Sequence, residues 1–259
     1  QAERIVPRAA EGEEPYRGQW LAPFMLSPHN PRIVYLGLNR LFRSMDRGAD
    51  IQPISPDLTT NDPATRGDIP YQTITTIAES YQEFGQLWVG TDDGRLHVTR
   101  DSGATWTEVV AGLEPHTWIS RVEASHTKPG TAYVAQNGKR YEDFRPLLWR
   151  TEDYGATWQD LSAGIPSGPI NVVREDPKNH DLLYVGTDLG VYVSTDRGAS
   201  WAALPGDLPF VAVHDLVVHP RDDIAVIATH GGGMWAMDIR PLQASGAEEE
   251  PPAEPESDG

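Results

Sequence analysis

Apolar residues in this chain come in short bursts, with turn-forming residues crowding the intervals. One set of bursts reads IVYLG (33–37), LWVGT (87–91), AYVAQ (132–136), LYVGT (183–187) and AVIAT (225–229). Ahead of several of these lies another, running into a proline-containing turn: FMLSPHNP (24–31), NVVREDPKN (171–179) and DLVVHPRDD (215–223). Behind them comes a third, as in LHVTR (96–100), LLWRT (147–151) and VYVST (191–195). Bulky residues in short runs bounded by Gly, Pro and Asp predict strands. No stretch of useful length repeats at the 3.6-residue period of an amphipathic helix. Counting a fourth strand after each third run, the chain divides into five units of about 45 residues, the period of a propeller blade. The fifth unit offers GGGMWAMD (231–238) as its third strand and no obvious fourth.

The junction of third and fourth strands carries a repeated octet: SMDRGADI (44–51), TRDSGATW (99–106), TEDYGATW (151–158) and STDRGASW (194–201). The pattern is [S/T]-x-D-x-G-x-[S/T]-W, and the first copy is degraded at its end. Each part has a local physical role. Asp46, Asp101, Asp153 and Asp196 can accept hydrogen bonds from the amides of their own turn. Gly48, Gly103, Gly155 and Gly198 supply a positive φ without a Cβ clash. Trp106, Trp158 and Trp201 start the next strand and are expected to bury their rings under the turn. These residues are therefore read as structural.

The octet resembles the Asp-box, or BNR, repeat, and the likeness covers about residues 20–240. The repeat occurs in sialidases, some endoglucanases, sortilin-type receptors and many bacterial secreted proteins. The whole chain resembles the C-terminal half of long bacterial proteins described as sortilin-like or glycosyl-hydrolase-like. This resemblance implies an all-β fold, a β-propeller with about five four-stranded blades. It also implies a periplasmic or extracellular location. The expected organisation is an N-terminal extension over 1–19 whose ERIV (3–6) serves as a closing strand, a propeller over 20–242, and a disordered acidic tail over 243–259. Two closures stand open: a closed five-blade ring, or an arc of a larger propeller, a missing N-terminal propeller of the same precursor being one setting for it.

Composition narrows the partners. Thirty-eight acidic against 21 basic residues give a formal charge of −17, a field that repels phosphate backbones, so nucleic acid is not expected. Part of the excess is local, since SGAEEEPPAEPESDG (245–259) holds no base. Cysteine is absent, which removes disulfides, thiolate metal ligands and a thiol nucleophile. No apolar run approaches the length of a membrane span. No cofactor and no metal site are expected: the histidines, His116, His214 and His230 among them, stand singly rather than at ligand spacing.

Strand alternation assigns the octets to one face of the ring. The opposite face, called here the first face, gathers the loops able to converge on a central channel. Two of them exceed what a connection needs: residues 55–72, with Arg66 and Asp68, and residues 137–146, with Arg140, Tyr141, Asp143 and Arg145. Asp92, Asp188 and His230 lie in shorter loops of that face. These nine residues are the ligand-binding candidates, for a protein, peptide or carbohydrate partner. The expected function is a non-catalytic interaction module within a larger exported protein. The alternative is a glycoside hydrolase fragment, sialidase- or endoglucanase-like, using first-face carboxylates such as Asp57, Asp68, Asp92 and Asp188.

Overall fold

The structure is a computed structural model that describes residues 5–166 and 168–244. Its strands fall into five antiparallel sheets in chain order. Blade one holds β1 (Phe24–Leu26), β2 (Val34–Gly37), β3 (Leu41–Ser44) and β4 (Gln52–Pro53). Blade two holds β5 (Ile74–Glu79), β6 (Leu87–Thr91), β7 (Leu96–Thr99) and β8 (Thr107–Glu108). Blade three holds β9 (Trp118–Ala124), β10 (Ala132–Asn137), β11 (Leu147–Thr151) and β12 (Gln159–Asp160). Blade four holds β13 (Ile170–Glu175), β14 (Leu183–Thr187), β15 (Gly190–Ser194) and β16 (Ala202–Ala203). Blade five has three strands among the described residues, β17 (Val213–Val218), β18 (Ile224–Thr229) and β19 (Met234–Asp238), followed by a short helix, α1 (Arg240–Ala244).

The core lies between blades rather than within one. Ile33, Tyr35 and Leu41 of blade one meet Ile74, Leu87 and Val89 of blade two. Blade two presents Trp88 and Leu96 to Ile119 and Val122 of blade three, and blade four presents Tyr184 and Val191 to Val213 and Leu216 of blade five. On the innermost strands a polar clasp repeats at each of the last three junctions. Thr75 Oγ1 donates to the Ile119 carbonyl at 2.7 Å, Ser120 Oγ to Ile170 at 2.8 Å, and Asn171 Nδ2 to Val213 at 3.0 Å.

The octets are hydrogen-bonded as their chemistry dictates. Asp153 accepts from the Thr157 amide at 2.9 Å and from the Thr157 hydroxyl at 2.6 Å. Asp101 and Asp196 repeat the arrangement, and the Thr105 hydrogen bonds hold the Asp101 carboxyl down at about 2. In the degraded copy Asp46 pairs instead with Arg32 at 2.9 Å. The tryptophans correct the expectation of full burial. They are half-buried, because each ring reaches back to the preceding blade rather than under its own turn. Trp106 Nε1 donates to the Ile54 carbonyl at 3.0 Å, Trp158 to Val109 at 2.9 Å and Trp201 to Leu161 at 2.9 Å. The octet is thus a staple between blades.

The chain ahead of blade one packs along that blade and over the first face. The Tyr16 ring meets Phe42 edge-on at 4.9 Å, Arg17 pairs with Asp57 at 2.7 Å, and Gln19 Nε2 donates to Asp92 at 3.0 Å. Of ERIV, only Ile5 and Val6 are described; Ile5 packs against Gly48 of blade one and neither residue is in a strand. At the other end Gln243 Nε2 bonds the Asp176 carboxylate at 2.9 Å, so this residue of the expected tail belongs to the folded part. Residues 245–259 lie outside the described residues.

Candidate functional site

Each second strand ends at the first face, and the residue just past its core or closing it is polar: Asn39, Asp92, Asn137, Asp188 and His230. Of these, Asn137 and Asp188 line the channel cavity. The channel is a cavity of about 1190 Å³ whose mouth is lined by Trp118, Lys139, Arg140, Asn171, Asp188 and His214.

Asp188 is the centre of this mouth. It accepts from Lys139 Nζ at 2.6 Å and from Asn171 Nδ2 at 3.0 Å. Asn171 Oδ1 in turn accepts from Asn137 Nδ2 at 2.8 Å. Burial works against the charge, but the Lys139 ammonium and the Asn171 amide outweigh it and hold the carboxyl below its usual range. Asp92 is the opposite case. It is buried and accepts from the Thr73 amide and hydroxyl, both at 2.8 Å, and from Gln19. Burial nevertheless pushes it above the usual carboxylate range, helped by the neighbouring Asp93. The two carboxyls are therefore shifted in opposite directions.

The loop at 137–146 forms a ridge. Its short 3₁₀ turn, Lys139–Tyr141, aims neighbouring side chains in different directions. Arg140 lies over the Trp118 ring at 4.4 Å, a cation–π contact on the channel side. Tyr141 faces a side pocket of about 500 Å³ lined by Tyr71, Asp93, His116 and Asp143 among others. There its hydroxyl sits 3.3 Å from that of Tyr71, so the two long loops meet. Burial, with Tyr141 beside it, raises the Tyr71 phenol well above its usual range.

The remaining candidates divide. Asp143 and Arg145 form a bidentate pair at 2.6–3.1 Å, and Arg145 also reaches Glu114 of the neighbouring loop at 3.1 Å, so both charges are already paired. Arg66 bonds Gln72 at 3.2 Å and Asn61, on the rim. Asp68 is exposed and lines neither cavity. His230 stacks on His214, ring centroids 5.0 Å apart. Asp57 is tied to Arg17, Asn39 and Thr59. Sequence reasoning missed Asn137, Asn171 and Gln19. The signal for Asn137 was its repeat position, shared with Asp92 and Asp188; nothing in the sequence marked the other two.

Deeper in the channel, inner strands carry an ion cluster. Arg174 bonds Glu123 at 3.0 Å and Asp215 at 3.1 Å, and Arg121 bonds Asp215 at 3.0 Å. Among the described residues no group of three or more His, Asp or Glu is placed to hold a metal ion, and no helix is long and apolar enough to cross a membrane.

No family model matches the chain. It is 25% identical over 209 residues to an oligoxyloglucan-reducing end-specific xyloglucanase of Emericella nidulans, covering 76% of this chain and 19% of that protein. It is 27% identical over 215 residues to a xyloglucanase of a Paenibacillus species, covering 70% of this chain and 20% of that one. The chain thus spans about a fifth of the length of these relatives. Among solved structures it resembles a GH74 xyloglucanase from Xanthomonas campestris, with TM-score 0.65, 22% identity, and 83% and 36% of the two chains covered. A Niastella koreensis GH74 enzyme gives TM-score 0.65 at 17% identity, with 90% and 37% covered. These likenesses show a β-propeller. They also correct the expected function: relatives named xyloglucanases favour the glycoside hydrolase alternative over a non-catalytic, sortilin-like module.

Proposed function

We propose that this propeller is part of a glycoside hydrolase acting on a xyloglucan-type polysaccharide, with the first-face mouth as its substrate surface. The observation that carries the reading is Asp188. It is a carboxylate kept charged by Lys139 and Asn171 at the rim of a cavity wide enough for a chain of sugars. Glycoside cleavage needs one carboxylate as base or nucleophile and one carboxylic acid to protonate the leaving oxygen. Asp188 takes the first role. Tyr71, Tyr141 and the Arg140–Trp118 pair supply the flat and polar contacts that sugar rings use. A periplasmic or extracellular setting belongs to the same reading, since such a polymer is too large to enter a cell.

The test is calorimetric titration of the full chain with a xyloglucan oligosaccharide. The wild type should bind, and Arg140→Ala should weaken binding about 5–30-fold, the loss of one hot-spot side chain of roughly 1–2 kcal/mol. Absence of binding by the wild type, or binding indifferent to Arg140, would remove this surface from the account.

A further inference from the structure

Arg121, inside the channel, carries a charge that its neighbours do not balance. The inner strands place Thr76, Arg121, Val172 and Asp215 at one repeat position, opposite Gly90, Ala135, Gly186 and Ala228 of the second strands. At that position the following blade, blade four, offers Arg121 only Val172, which is apolar and buried. Arg121 therefore reaches past it to Asp215 of blade five, through Nη2 at 3.0 Å. That carboxylate is shared. Arg174 bonds the same oxygen at 3.1 Å and holds Glu123 as well, at 3.0 Å. The two acids thus compensate Arg174 first: despite burial its pKa is raised by Glu123 and Asp215, whereas burial and the Arg174 charge lower that of Arg121 to about 10. The Arg121 Nε–H is buried without a hydrogen-bond partner. The Nε atoms of Arg95, Arg150 and Arg197 are also buried without one, but each is itself the atom paired with a carboxylate: Arg95 with Glu108, Arg150 with Glu152 at 3.6 Å, Arg197 with Asp181 at 3.8 Å. A buried donor left unmet is a cost that a water, an ion or a ligand has to relieve.

We propose that Arg121 is the floor of a carboxylate site, so that the channel takes a glycan carrying a uronic acid, whose carboxylate accepts from the Arg121 Nε–H. The proposal rests on the reading of the first-face mouth as a glycan surface and names the class of glycan. The Nε–H and the neighbouring Nη of a guanidinium together match the two oxygens of a carboxylate. Burial strengthens such a pair, because the cavity wall keeps out the water that would screen it. The way in is lined for a sugar. Trp118 and Arg121 both line the cavity from one strand, about 10 Å apart along it. Arg140 lies over the Trp118 ring at the mouth. A chain entering past this pair therefore has an aromatic and cationic wall above and a guanidinium below. A single unmet donor beside Glu123 and Asp215 suits one carboxylate and repels a polyanion.

Calorimetric titration of the full chain tests this with three ligands: a xyloglucan oligosaccharide carrying one uronosyl residue, its carboxyl-reduced neutral form, and free glucuronate. The variants are Arg121→Gln and Asp215→Asn, each checked by Tm. The wild type should bind the acidic oligosaccharide about 10–100-fold more tightly than the neutral form, as for a charge-assisted hydrogen bond out of water. Arg121→Gln should bring the acidic form down to the affinity of the neutral one. Asp215→Asn, which releases Arg121 from its protein partner, should widen the preference. Equal binding of the two forms by the wild type would leave water as the partner of Nε and overturn the proposal. So would a preference that survives Arg121→Gln. If Arg121→Gln does not fold, Asp215→Asn decides: a preference that narrows refutes the site. Free glucuronate separates the two readings. Its binding, lost in Arg121→Gln, while neither oligosaccharide binds would uphold the site and remove the mouth as a glycan surface. Binding of both oligosaccharides alike would do the reverse.

Discussion

Gly155 sits where the staple presses blade three against blade two. Its φ is +85°, and an added Cβ would stand 2.6 Å from Val109 Cβ and 2.9–3.0 Å from both its methyls. Val109 is buried in the preceding blade, and its carbonyl receives Trp158 Nε1, so it cannot retreat without loosening that bond. Gly155→Ala therefore carries two costs. The left-handed backbone costs an L-residue about 1–2 kcal/mol. Forcing a methyl into filled space costs about 1–3 kcal/mol more. The sum, roughly 2–5 kcal/mol, lowers Tm by about 4–20 °C for a domain of this size. Gly231→Ala is the control. Its φ is +82°, and an added Cβ meets nothing within 4 Å, so only the backbone cost applies. Thermal unfolding followed by circular dichroism should rank Gly155→Ala clearly below Gly231→Ala. Equal losses would refute the claim that the glycine is needed for approach between blades as well as for its φ.

Trp158→Phe keeps most of the ring but removes the 2.9 Å bond to Val109, and should cost about 0.5–1.5 kcal/mol in denaturant unfolding. His97 is held neutral, its pKa lowered to about 4 mainly by burial and further by Arg95. Its folded value lies below the unfolded one, so stability should be full above about pH 6.5 and fall by up to roughly 3 kcal/mol as pH drops toward 4. His97→Gln should flatten that slope in urea melts taken across the window. Any turnover should rise with pH as Asp188 ionises, the rise lying below the ordinary carboxylate range; the rise should vanish in Asp188→Asn.

The strands and the octet were legible in the sequence because their causes are local. An Asp that binds the amide four residues on, and a Gly at positive φ, leave the same trace in the three full copies. The destination of Trp158 was not legible, because its partner Val109 lies 49 residues away on another blade. The site fared likewise. Asp68 and Asp188 look alike as letters, yet only Asp188 is joined by Lys139 from blade three and Asn171 from an inner strand. Arg145 looked free, but Asp143 two residues earlier claims its guanidinium. Asp92 stood out by charge alone. That it is buried beneath Gln19, from a segment ahead of the first blade, depends on how the chain folds back over the face.

Release of reducing ends from xyloglucan by the full chain, wild type beside Asp188→Asn, tests the account most directly. The wild type should release them above a heat-denatured control. Asp188→Asn, which keeps the shape and hydrogen-bonding capacity of the side chain, should lower the rate by about 10²–10⁴-fold with Tm unchanged. Background rates from the folded wild type, or activity that survives in Asp188→Asn, would contradict the assignment of Asp188 as the working carboxylate of a glycan-cleaving face.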